Sequence, residues 1–325
     1  MKTATFKTLG NPTDVLEVVE VSGRAPGPGE VQVDVLSAPI HNADVLRIMG
    51  LYGTTPELPS TPGGEGVGRV VAVGAGVEHL AVGTTVFIAA GSTWAQQVTG
   101  PAAAFIPLPA GDLDQLAMLV SSPATAHLLL QDYAELNEGD WVIQTAANSA
   151  VGTAVIQVAK ARGLRTVNIV RREEVIDDLK ALGADVVLVG TDNLGERVAK
   201  ATDGGHIKLA LDAIGGPLIG LLVQTLGMGG TLVSYSQVLE EPAAITPAQL
   251  IFKQITLSGF WLSQWFAEAS AADQQALFAT LIPLVVSGQL KLAVDSTYPL
   301  DQLTDAVQRS MGGRRNGKVM LHPND

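Results

Sequence analysis

Residues 140–172 read DWVIQTAANSAVGTAVIQVAKARGLRTVNIVRR, and the fold follows from how this stretch is parsed. DWVIQTA (140–146) is rich in aromatic and β-branched residues, as a strand is. SAVGTAVIQVAKARG (149–163) spaces its apolar residues at helical intervals and closes on a glycine. LRTVNIV (164–170) is a second strand. Strand, turn, helix and strand in this order make a βαβ unit, whose two strands run parallel. The rhythm continues downstream. Helices are expected over 173–183, 194–204, 217–227 and near 247–253, and strands over 184–190, 207–213, 229–235 and 255–260. Six strands with helical crossovers predict a doubly wound parallel sheet of the Rossmann kind.

Upstream the pattern differs. VQVDVLSAPI (31–40) alternates, GVGRVVAVGAGV (66–77) and TTVFIAAG (84–91) are short β-branched runs, and prolines punctuate the loops between them. Residues 79–111 contain no Asp, Glu, Lys or Arg, which fits a small β-barrel with one uncharged wall. After a helix expected at 273–288, residues 291–321 return to β-type patterning. The expected organisation is a β-barrel domain of residues 1–118 completed by 289–325, around a Rossmann domain of 119–288.

Composition narrows the function. The 325 residues are 47% apolar and 16% charged, with a net charge of −12 and no basic block. Binding to nucleic acid or an anionic membrane through bulk charge is not expected. The absence of cysteine excludes disulfides, thiolate zinc, iron–sulfur clusters and a Cys nucleophile. The N-terminal MKTATFKTLG has no apolar signal core, so a reducing cytoplasm is the expected compartment. Residues 213–239 carry no charge, but six glycines and a proline fit helix, turn and strand better than a membrane span.

The turn after the first Rossmann strand, Thr145 to Gly152, is where such a sheet offers helix amides to a pyrophosphate. Its glycine pattern is incomplete: Gly152 is present, while Ala147 and Ser149 or Ala150 stand where glycines are common. The turn by itself fits a dinucleotide site and a close helix–strand contact equally. The second strand ends in Arg171 and Arg172 rather than an acid, and two guanidiniums there suit a ribose 2′-phosphate. No G-x-S-x-G elbow exists, and His79, His127, His206 and His322 form no evident catalytic dyad.

Several segments carry a resemblance: IHNADVLRIMGLYG (40–53), PELPSTPGGEGVGRVVAVG (56–74), GSTWAQ (91–96), residues 148–172, LIFKQITLSGFWLSQW (250–265) and GKVMLHP (317–323). Together they resemble the medium-chain dehydrogenase/reductase superfamily, in which a GroES-like β-barrel domain surrounds a Rossmann domain. Within it the chain is most similar to the zinc-independent 2-enoyl thioester reductases of the mitochondrial type. The resemblance implies NADPH as cofactor and a homodimer through the strand near 255–260. It also implies reduction of the α,β double bond of an enoyl-CoA or enoyl-ACP, with hydride to Cβ and a proton to Cα. A quinone or enone reductase of the same fold, or a non-catalytic NADPH-binding protein, are the alternatives.

By the same resemblance, Tyr52 is the proton donor or enolate-stabilising group. The cofactor residues are Ser122, Thr125, Asn148, Ser149, Ala150, Val151, Arg171, Arg172, Tyr235, Ser236, Gln237, Val238, Phe260, Trp261, Leu262 and Lys318. Trp94 and Trp261 line the substrate pocket. Ser122 departs from the family, which has Asn there. Zinc-dependent members use Cys and a His-Glu pair; here His41 occupies the first ligand position and Gly64 precedes Glu65. One His and one Glu do not complete a tetrahedral site, so no metal is expected.

Overall fold

The computed structural model describes residues 1–238 and 241–325. The chain divides into two compact units, residues 122–278 and residues 1–121 with 279–325.

The 122–278 unit is built on six strands: Trp141–Gln144, Arg165–Val170, Val186–Val189, Ile207–Asp212, Leu226–Ser234 and Thr256–Gly259. They stand in the order third, second, first, fourth, fifth, sixth, and every pairing is parallel. This is the doubly wound arrangement, whose strand order reverses beside the first strand. All four side chains of Trp141–Gln144 are buried, as in a strand covered on both faces. The helix Ala150–Ala161 starts where the Ser149 hydroxyl accepts the Gly152 N–H at 3.1 Å. Its Ala154, Val155, Val158 and Ala159 form a buried stripe at helical spacing.

Two boundaries differ from expectation. The helix expected to reach 227 ends at Thr225, because Leu226 already pairs with Ile207. The helix expected from 173 opens as a 3₁₀ turn over Glu173–Val175 and becomes α-helical at Ile176, ending on Gly183 at φ 110°. The uncharged segment 213–239 is the helix Pro217–Thr225 and the strand Leu226–Ser234; its last residue, Leu239, lies outside the described residues. Among the described residues no helix is long and apolar enough to cross a membrane.

The other unit carries a seven-stranded sheet. Its path runs Val294–Pro299, Lys318–His322, Glu30–Pro39, Gly66–Val73, Thr85–Ile88, Phe105–Pro107, with Gln97–Pro101 also paired to the long strand. Glu30–Pro39 turns Val31, Val33 and Val35 inward by simple alternation. They join Phe6, Ile40, Ile48, Ile88, Trp94, Phe105 and Val319 in one core.

The expected small β-barrel takes the form of an open sheet: among the described residues the two ends of the path do not pair. The cause is the long strand, which shares one edge between Gln97–Pro101 and Lys318–His322, so the sheet branches there. The expected β tail over 291–321 is also corrected. It contains the helix Leu303–Met311, whose buried Leu303, Ala306, Val307 and Ser310 repeat at helical spacing.

Candidate functional site

Because the six Rossmann strands are parallel, the segments that leave their carboxyl ends emerge along one edge. Asn148–Val151 follow the first strand, Arg171 and Arg172 the second, Tyr235–Val238 the fifth, and Phe260–Leu262 the sixth. At the first turn the backbones are close. A Cβ on Gly152 would lie 2.6 Å from the Ala147 carbonyl oxygen and 2.7 Å from that of Ala146, which itself sits at φ 48°. The helix therefore starts directly against the turn, with its free amides facing the sheet edge.

Beneath the turn lies a buried polar network. Gln144 Nε2 donates to the Gly152 carbonyl at 2.9 Å and to Asn168 Oδ1 at 2.7 Å, and Asn168 Nδ2 donates to Thr166 Oγ1 at 2.9 Å. The fully buried Asp212 organises the next turn. It accepts from Thr145 Oγ1 at 2.9 Å and from the amides of Ile214 and Gly215 at 3.2 and 2.8 Å.

Three features of this edge fit a dinucleotide phosphate. Arg171 and Arg172 make no hydrogen bond or ion pair among the described residues. Gly152, where a Cβ would meet the Ala146 and Ala147 carbonyls, lets the turn backbone approach the start of the helix closely. The buried Tyr235 hydroxyl has no hydrogen-bond partner among the described residues. Burial and the nearby Asp212 carboxylate push that phenol well above its usual range; the Ser149 hydroxyl eases the shift without reaching bonding geometry. An orphaned buried donor at a helix N-terminus is suited to an anion. Ser122 and Thr125 are buried at the start of the helix Pro123–Asp132. Phe260 packs edge-on against Tyr133 at 6.1 Å, and Trp261 is exposed.

In the other unit, Tyr52 follows the helix Asn42–Met49, which ends on Gly50 at φ 76°. The Arg47 guanidinium lies 4.8 Å from the centroid of its ring. Arg47 and Asp44 also line a cavity of ≈ 270 Å³ with Ile48, Gly63, Gly64 and Ser92. Burial raises the Asp44 carboxyl above the usual carboxylate range, against the opposing pull of His41, Arg47 and Lys318. Trp94 is placed in the core, 0% exposed, with its indole N–H directed to the Pro39 carbonyl at 3.4 Å; its role there is packing.

Lys318 sits at the start of its strand and donates to His41 Nδ1 at 2.8 Å. That leaves the His41 proton on Nε2, which donates to Glu65 Oε1 at 2.6 Å. The second Glu65 oxygen accepts from the Val120 and Ser121 amides at 2.9 and 3.0 Å. Sequence reading missed this chain, the Asp212 clasp and the Arg47–Tyr52 contact. The available signals were polar residues inside otherwise apolar strands, such as Gln144 and Asn168, and an acid ending a buried strand, such as Asp212.

These features define the class: a dinucleotide-binding Rossmann unit joined to a GroES-like β unit. Residues 27–110 match the alcohol dehydrogenase GroES-like domain family, and residues 150–278 the zinc-binding dehydrogenase family. The human mitochondrial enoyl-[acyl-carrier-protein] reductase is 39% identical over 320 residues, covering 96% of this chain and 86% of the relative. A solved complex of Etr1p with NADP and crotonyl-CoA has a TM-score of 0.90 at 26% identity and covers 99% of each chain. A Pseudomonas syringae quinone oxidoreductase has a TM-score of 0.86 at 26% identity, again over 99% of each. The chain thus belongs to the enoyl-[acyl-carrier-protein] reductase family of the zinc-independent medium-chain dehydrogenase/reductases.

Zinc, named in one of these families, does not fit the residues present. The chain has no cysteine, and both His41 ring nitrogens are already bonded. Among the described residues no group of three His, Asp or Glu is placed to hold a metal. The expected cytoplasmic location is corrected by the human, bovine and Dictyostelium discoideum relatives, all designated mitochondrial. An absence of cysteine says nothing that separates one reducing compartment from another.

Proposed function

We propose that this protein reduces the α,β double bond of 2-enoyl thioesters, carried on CoA or an acyl carrier protein, with NADPH. The observation that carries the reading is the sheet edge that sets the Gly152 turn beside the unpaired Arg171 and Arg172, in a chain 39% identical to an enoyl thioester reductase. The bound cofactor supplies the hydride that goes to Cβ. Asn148, Ser149, Ala150 and Val151 present helix amides to the pyrophosphate. Arg171 and Arg172 grip the 2′-phosphate through charge-assisted bonds. Tyr235, Ser236, Gln237 and Val238, with Phe260, Trp261 and Leu262, border the cofactor along the same edge, and exposed Trp261 serves as an apolar wall for the acyl chain. Ser122, Thr125 and Lys318 complete the polar contacts. Tyr52 donates its hydroxyl proton to the enolate oxygen or to Cα as negative charge develops on the thioester.

A second reading, reduction of quinones or simple enones, is favoured by two observations. Ser122 replaces the family Asn, and a quinone oxidoreductase shares the fold at a TM-score of 0.86. Following NADPH oxidation with crotonyl thioesters, simple enones and quinones decides between them. Preference for thioesters is the expected result; turnover of quinones alone supports the second reading, and oxidation with none of them leaves an NADPH-binding protein.

The protein is further proposed to be a homodimer. Thr256–Gly259 is an edge strand, and Leu257 and the neighbouring Phe252 are 42% and 75% exposed. Pairing two such edges would cover them. A monomer by light scattering at micromolar concentration would reject this.

A further inference from the structure

His41, Glu65 and Lys318 come from three separate segments and end in one continuous hydrogen-bonded line. Each member is pinned from outside the line. Glu65 has no spare oxygen: Oε1 takes the imidazole, and Oε2 takes two backbone amides. His41 is the N-cap of the helix Asn42–Met49, and its own N–H is accepted by Asp44 Oδ2 at 3.0 Å. Lys318 follows Gly317, which sits at φ 126° where a Cβ would lie 2.3 Å from the Ala293 carbonyl oxygen, and the Lys318 amide bonds that carbonyl at 2.8 Å. Backbone and side chain are thus fixed at both ends of the line.

A lysine on a half-buried strand ordinarily extends its ammonium into water. Here it turns to one nitrogen of an imidazole whose other nitrogen is held by a buried carboxylate. Such an arrangement is excessive for stapling three segments, since any neutral donor–acceptor set would do that. It is what is needed to keep a cation in one place inside a partly dry site.

We propose that His41 and Glu65 are positioning residues that hold the Lys318 ammonium for the bound cofactor. This rests on the reading of Lys318 as a cofactor residue. Burial, with Arg315 adding to it, pushes Lys318 down to about 8, while Glu65 and Asp44 hold it up. His41, Glu65, Asp44 and Arg315 are the charged or titratable groups that act on it. The ammonium is therefore present at neutral pH and is lost as pH rises past about 8.

The two amide replacements of His41 separate positioning from stapling. In His41→Asn the amide oxygen falls near Nδ1 and still accepts from Lys318. In His41→Gln the amide nitrogen falls near Nε2 and still donates to Glu65, but the Lys318 acceptor is gone. NADPH is titrated by fluorescence into wild type, both His41 variants, Glu65→Gln and Lys318→Ala, across pH values from about 6.5 to 9.5. Melting temperatures are measured alongside. His41→Gln is expected to weaken NADPH about tenfold at neutral pH, and His41→Asn by less than about threefold. Wild-type affinity should fall as pH rises past about 8, and Glu65→Gln should bring that fall to lower pH.

If Lys318→Ala weakens NADPH but the two His41 variants bind it alike, the positioning role is overturned and the cofactor reading stands. If Lys318→Ala binds as wild type does, the cofactor reading of Lys318 is itself wrong. Should His41→Gln not fold, Glu65→Gln decides: an unmoved pH dependence of NADPH binding rejects the proposal.

Discussion

Gly152→Ala adds one methyl group where the structure has least room. The new Cβ would stand 2.6 and 2.7 Å from two carbonyl oxygens and 2.7 Å from a carbonyl carbon, all of them backbone atoms that cannot swing aside. Relief requires the helix Ala150–Ala161 and the Ala146–Ala147 turn to separate by roughly 0.8 Å, an overpacking that costs about 1–3 kcal/mol. For a unit of this size about 2–4 °C of melting temperature accompany each kcal/mol, so a drop of roughly 2–12 °C is expected. The same movement draws the helix amides away from the pyrophosphate. Lengthening those bonds by this amount should weaken NADPH about tenfold. Calorimetric melting of the free protein and a fluorescence titration of NADPH measure the two effects on one variant. Gly195→Ala is the control: no atom lies within 4 Å of its Cβ in the helix Leu194–Ala201. It should leave NADPH binding unchanged and raise stability by up to about 1 kcal/mol. A Gly152→Ala protein that melts and binds NADPH like wild type would refute both the packing argument and the placing of the phosphate at this turn.

Tyr52→Phe removes one hydroxyl and keeps the ring under Arg47; kcat should fall about 10²–10³-fold with NADPH affinity retained, whereas kcat within about threefold and a lower Tm would return Tyr52 to packing. Arg171→Ala with Arg172→Ala should remove roughly 2–4 kcal/mol of preference for NADPH over NADH, measured as the ratio of kcat/KM; equal use of both cofactors by wild type would refute the assignment. The Arg309 guanidinium, bonding Asp295 at 2.7 and 2.6 Å, holds that carboxyl down at about 2 from 3.8. Its contribution is full above about pH 4 and lost as pH falls towards 2, so Asp295→Asn should flatten that part of the acid unfolding curve followed by circular dichroism. Exhaustive chelation should leave activity intact, and stoichiometric zinc whose removal abolishes turnover would overturn the metal-free reading.

Much of the Rossmann unit was legible because it is local. Helical spacing, a glycine stop and β-branched runs are set by geometry within a turn or two of the chain, so the strand–helix order could be read directly. The position of Arg171 and Arg172, directly after the end of a parallel strand, was readable for the same reason. The helix Leu303–Met311 was equally local, yet its signal was lost between two β-type runs.

What the sequence determined by itself is therefore the succession of elements, the parallel sheet, the exclusion of thiolate chemistry and the polarity of the strand ends. Tertiary packing alone decided the rest. Whether the β unit closes depends on how one strand divides its edge between Gln97–Pro101 and Lys318–His322, partners far apart in the sequence. Trp94 is core rather than wall because of what packs over it. Asp212 clasps Thr145, and His41 bridges Glu65 to Lys318, across separations that no local periodicity encodes. Such contacts are chosen by the joint burial of distant segments, where each polar group must find a partner once water is gone.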